Sequence, residues 1–163
     1  DAFEQEVRRK VLTHCSVNSG SDLVGSMMLV TIVIDIERIG DYTKNIISLA
    51  RSYPSRLEGG SLEPDLVRIE ATVVENFDRT RAALEDSNEE LAHEVLKETS
   101  WLSKLCDERV HDLVAGNVED VTANQSTALA LYFRQLKRVN SHLGDVATAV
   151  VNPFDRIGFK PKD

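Results

Sequence analysis

Two stretches of this chain match each other at a separation of one hundred residues, and that correspondence limits the folds open to it more than any other feature. Ile36-Glu37-Arg38-Ile39 corresponds to Leu136-Lys137-Arg138-Val139, Val33 to Phe133, Ile46 to Val146 and Ala50 to Val150. Both stretches carry apolar residues at helical spacing. Spacing alone forces some agreement between two long helices, but the shared arginine and the shared centre favour duplication of one unit. These two helices are then expected to be the longest in the chain, roughly parallel to each other and central to their bundles.

The β-branched run Val30-Thr31-Ile32-Val33-Ile34 could be a strand on propensity alone. It continues unbroken into Glu37-Arg38-Ile39, and no other segment looks like a partner strand, so a helix is expected there. The fold class is therefore all-α, with helical segments at about 2–15, 22–53, 65–85, 88–115 and 120–151. Ser21 or Asp22 is placed to cap the second segment, Pro64 to start the third, and Gly116 to end the fourth. Ser87-Asn88-Glu89-Glu90 reads as a capping box. Core stripes are expected at Phe3, Val7, Val11 and Cys15; at Leu66, Ile69, Val73, Phe77 and Leu84; and at Leu91, Val95, Leu102, Leu105 and Leu113. The last helix contributes Leu129, Phe133, Leu136, Val139, Leu143, Val146 and Val150.

The repeat divides the chain into four parts. Residues 1–54 are expected to form the last two helices of a three-helix bundle, and 55–64 a linker around Gly59-Gly60. Residues 65–152 make a complete second bundle, and 153–163 an irregular tail. The first bundle then lacks a helix that would precede residue 1. Its absence is expected to leave an apolar groove lined by Met27, Met28, Val30 and Ile34, through which two copies would associate.

Charge and composition exclude several functions. A formal net charge of −8 with no basic run disfavours a grip on a nucleic-acid backbone. The apolar stretch Met27 to Ile36 is too short to span a bilayer, which suits a cytoplasmic protein that meets membranes only through partners. Cys15 and Cys106 read as small core or boundary groups in a reducing compartment. The four histidines show no ligand pairing such as His-x-x-x-His, and no glycine-rich phosphate loop or nucleophile motif is present.

Asp35-Ile36-Glu37-Arg38-Ile39-Gly40-Asp41, followed by Lys44-Asn45-Ile46, resembles the signature of PhoU proteins, Leu-Glu-Arg-Ile-Gly-Asp with a downstream Asn-Ile. That family consists of tandem three-helix bundles that regulate bacterial phosphate uptake and signalling. The second copy, Leu136-Lys137-Arg138-Val139-Asn140-Ser141-His142, keeps the frame but loses both acids. The resemblance covers essentially the whole chain. It implies a non-enzymatic adaptor whose partners are a phosphate ABC transporter or a sensor histidine kinase. Within the family, the alternative is a cytoplasmic domain of a sodium/phosphate cotransporter. From another class, the alternative is a carboxylate-bridged metal-storage bundle, against which stands the lack of any Glu-x-x-His motif.

Glu37 and Asp41 lie one helical turn apart on one face and could offer oxygen ligands to a cation. From spacing alone the simpler reading is a solvated ladder, with Arg38 and Lys44 neutralising Asp41. The resemblance implies the other reading, a site for Fe, Zn, Mg or Mn at Glu37 and Asp41, completed by Glu4 or Glu6 from the first helix. Gly40 suggests a tight helix crossing or room for a ligand beside Asp41. Lys137 and Ser141, at the equivalent positions, are not expected to bind a cation. A residual site at Asp145 and His142 is not favoured.

Overall fold

The computed structural model describes residues 2–17, 22–53, 55–159 and 161. These form five α-helices and no strand: α1 (Ala2–Val17), α2 (Leu23–Ser52), α3 (Glu63–Asp86), α4 (Glu89–Ala115) and α5 (Ala123–Val151). The β-branched run 30–34 lies inside α2, where an unbroken backbone ladder and an apolar partner face outweigh strand propensity. Ser21, the other residue expected to cap α2, lies outside the described residues.

Helix ends follow local chemistry, with two corrections. Pro64 sits in the first turn of α3, and α4 ends at Gly116, whose φ of 74° lies in the left-handed region that favours glycine. Asp22 precedes α2 but makes no side-chain capping bond. The capping box expected at Ser87 is not formed there. Ser87 instead closes α3 in the left-handed region at φ 51°, and Asn88 caps α4 by accepting a hydrogen bond from the Leu91 amide. A connection this short uses Ser87 to turn the chain, so the capping role passes one residue on. The reciprocal box is at the start of α5, between Thr122 and Gln125.

Helices α3, α4 and α5 pack into one bundle, α2 lies along α5, and α1 rests against α2. The central element is α5. Twelve of its residues are buried, among them Leu129, Phe133, Leu136, Val139, Leu143 and Val146, as the spacing predicts. The stripe on α3 differs from expectation. Phe77 is exposed, and the inner face instead carries Thr72, Asn76 and Thr80. Asn76 is fully buried because its amide donates to the Asn140 carbonyl oxygen on α5 at 2.8 Å. α1 buries no residue, and Phe3 is exposed.

The repeat helices α2 and α5 are the longest elements, with 30 and 29 residues. They run antiparallel, not parallel, and their contacts mirror each other. Ile32 packs against Val146 and Ala149, while Tyr132 shares a cleft with Ile46 and Leu49. Tyr42 stacks on its own equivalent, His142. A two-fold relation between two copies places equivalent helices antiparallel, whereas a sequence offset carries no direction.

The groove expected on α1 and α2 is only partly there. Met27 and Ile34 are exposed, but Met28 packs against Ile32 and Val146 and Val30 is half-buried. The tail is more ordered than expected. A 3₁₀ turn at Phe154–Arg156 lets Ile157 bury itself against the Ile32 and Val146 cluster.

Equivalent positions are not equivalent in energy. Leu136 is 5% exposed and Ile36 is 41% exposed. Leu136→Ala is expected to cost about 2–5 kcal/mol through the cavity left in the core. Ile36→Ala should stay within about 1 kcal/mol. Urea unfolding of the two variants measures the difference, and equal losses would contradict this account of the core.

Candidate functional site

The motif on α2 is divided between two faces by helical periodicity. Residues 37, 41 and 44 follow one row and face outward beside α1. Residues 35, 39 and 42 follow another and face α5.

On the outer face, Glu37, Gly40, Asp41 and Lys44 line an open cleft of about 310 Å³ with Phe3 and Glu4 of α1. Lys44 Nζ lies 2.7 Å from Asp41 Oδ1, and an Arg38 guanidinium nitrogen lies 4.0 Å from Oδ2. This is the solvated ladder that the spacing suggested. Of the two acids on α1 considered as further ligands, Glu4 reaches the cleft but is held by Arg8 at 2.6 Å. Glu6 is paired with Lys10. Gly40 marks no tight crossing, since a Cβ there would meet nothing within 4 Å. The close approach is instead at Gly144, where a Cβ would lie 3.1 Å from the Thr99 side chain.

At the equivalent positions on α5, the Lys137 ammonium is held by both carboxylate oxygens of Asp107, at 2.6 and 2.7 Å. It faces α4 and stands beside an anion already on the protein. Ser141 lines a larger cavity of about 760 Å³ between α4, α5 and the tail, together with Asp145, His93, Lys97, Thr99 and Ser100.

On the inner face the structure makes a constellation that spacing did not favour. Asp35 of α2 meets His142 and Asp145 of α5, and these form a group of three potential ligands within 4.8 Å of one another. His142 Nδ1 lies 2.9 Å from Asp35 Oδ1 and 3.8 Å from Asp145 Oδ2. The imidazole is held against the Tyr42 ring, with centroids 5.6 Å apart and planes inclined by 18°. The one available sequence signal was the histidine and aspartate three residues apart on α5. Their third member, Asp35, is 107 residues from His142 and becomes a neighbour only through the antiparallel pairing.

Burial raises the Asp145 pKa to about 6, and the charge of Asp35 adds to the rise, while His142 opposes it. Elsewhere, burial pushes the Cys106 thiol up to about 12, which leaves it a neutral core group with no nucleophilic character at physiological pH. The Tyr132 phenol is also raised, by burial and by its hydrogen bond to Glu70.

Because the folded pKa of Asp145 lies above its ordinary value of 3.8, the native state holds this proton more tightly than the unfolded chain. Stability therefore falls as pH rises from about 4 to 6, and the penalty is fully present above that window. The side chain is 39% exposed, so solvent screening leaves a cost of only about 1 kcal/mol. In the presence of chelator, Asp145→Asn is expected to be more stable than the parent at pH 7.5 and equal to it at pH 4. Melting curves at the two pH values measure this, and a variant less stable at pH 7.5 would refute it.

Among the described residues, no helix is long and apolar enough to cross a membrane. No family model, curated protein or solved structure matches this chain. The resemblance to PhoU proteins is drawn from the α2 motif, the internal repeat and the all-helical length.

Proposed function

We propose that this chain is a PhoU-type regulator of phosphate uptake and signalling, a non-enzymatic helical adaptor made of two related bundle units. The observation that carries this reading is the mirrored packing of α2 and α5. Ile32 sits against Val146 and Ala149, and Tyr132 sits with Ile46 and Leu49, as two copies of one unit joined across a two-fold would require. The acidic motif 35–41 lies at the centre of that relation, and its outer half, Glu37 and Asp41, lines an open cleft.

In this reading the outer face of α2 docks on a basic surface of a phosphate transporter or sensor kinase at the cytoplasmic side of the membrane. Exposed Met27 and Ile34 on the same helix add apolar area to that contact or to a homodimer. Lys44 already serves as the cation for Asp41, so a metal ion at Glu37 and Asp41 would have to displace it. Exposed charge pairs of this kind are worth about 0–1 kcal/mol and yield readily to a partner of complementary charge.

The test is a bacterial strain that lacks its own PhoU-type regulator and expresses a phosphate-starvation reporter constitutively. Expression of this chain should restore repression in phosphate-rich medium. A Glu37→Lys, Asp41→Lys variant should fold, as judged by an unchanged melting curve, but fail to repress. A folded, well-expressed parent chain without effect on the reporter would count against the proposal.

A further inference from the structure

We infer that Asp35, His142 and Asp145 form a binding site for one borderline divalent transition ion, of the Zn²⁺ class, on the opposite face of α2 from Glu37 and Asp41. The site joins α2 to α5 and so fastens the α1–α2 hairpin to the α3–α5 bundle.

The first argument is the donor count. An imidazole nitrogen has one in-plane position, filled by a proton or a lone pair, and can serve one carboxylate. Nδ1 serves Asp35 at 2.9 Å. Asp145 reaches the same nitrogen only at 3.8 Å, too far for a hydrogen bond. Two carboxylates thus converge on a point where one proton satisfies one of them. A divalent ion at that point satisfies all three groups, and with a neutral imidazole the charges sum to zero.

Geometry gives the second argument. Ligand atoms at roughly 2.0–2.2 Å from a tetrahedral ion lie roughly 3.2–3.6 Å from one another. The two distances from His142, 2.9 and 3.8 Å, fall on either side of that value, and all three ligand atoms lie within 4.8 Å of one another. The imidazole is already oriented by the stacked Tyr42 ring, which lowers the ordering cost of binding. Asp145 also lines the cavity of about 760 Å³ shared with Ser141, which provides an entry path and room for water as a fourth ligand.

The donor set selects the ion. One imidazole nitrogen with two carboxylate oxygens suits Zn²⁺, Co²⁺ or Fe²⁺. Mg²⁺ and Ca²⁺ take six or more oxygens and find too few here.

The experiment uses the full chain stripped with chelator and titrated with Zn²⁺ by calorimetry, with Mg²⁺ as the contrasting ion. One equivalent of Zn²⁺ should bind and raise the melting temperature, and Mg²⁺ should do neither. Removing an outer partner of a metal ligand costs about 10–100-fold in affinity. His142→Ala and Asp35→Asn, which remove ligands, should therefore each lose at least about 100-fold. Asp145→Asn should lose binding too, while its metal-free melting curve shows that it still folds. Glu37→Gln with Asp41→Asn should bind Zn²⁺ like the parent, which separates this site from the outer face and from the regulatory reading. Zn²⁺ binding that survives His142→Ala, or no binding tighter than about 1 mM by the parent chain, would overturn the inference.

Discussion

Burial of α5 on three sides is the constraint on which the rest of the molecule depends. From Val146 to Ala149 every residue is buried, a pattern that a helix shows only when partners surround it. α3, α4 and α2 supply those partners. Small residues make this possible where the helices come closest, with Gly144 against Thr99 and alanine at 147 and 149. Phe133 and Leu129 are fully buried in the core that α5 shares with α3 and α4. A helix enclosed in this way sets the position of everything that touches it, including the motif helix α2.

That position explains how one short acidic motif presents two different faces. A seven-residue stretch spans nearly two helical turns, so it cannot present all its side chains to one neighbour. Asp35, Ile39 and Tyr42 are committed to α5: Asp35 meets His142, Tyr42 stacks on the same imidazole, and Ile39 is buried in the core. Glu37, Asp41 and Lys44 line the open cleft beside α1, where the Asp41–Lys44 ion pair is weak and exchangeable. The inner half suits a structural or ligand-binding role that needs fixed geometry. The outer half suits recognition, which needs accessible charge.

The second copy of the motif has diverged in step with its packing. Lys137 has turned to Asp107 of α4, and Asn140, equivalent to exposed Gly40, is buried against Asn76 of α3. Both changes follow from the enclosure of α5 by α3 and α4, which the corresponding surface of α2 lacks. A buried amide pair of this kind is costly to break and gives the bundle a specific register between α3 and α5.

Helical periodicity, the start signal at Pro64, the stop signal at Gly116, and the repeat were enough to read five helices and most of the core from the sequence. Those features are local, or depend on spacing along one element, so a linear reading captures them. The stripe of α3 was misread where Asn76 replaced Phe77 inside, because an amide is tolerated in a core only if a distant partner meets it. The capping role at Ser87 was misassigned because a short turn between helices imposes its own backbone geometry. The direction of α2 against α5 was not legible either, since a repeat offset names equivalent residues without orienting them. Asp35 and His142 became neighbours only through that antiparallel packing. The sequence by itself determined which segments are helical and which faces are apolar, because backbone propensity and side-chain spacing act over a few residues. Only the tertiary structure decided which polar groups share a site, because charges 107 residues apart interact through space and not along the chain.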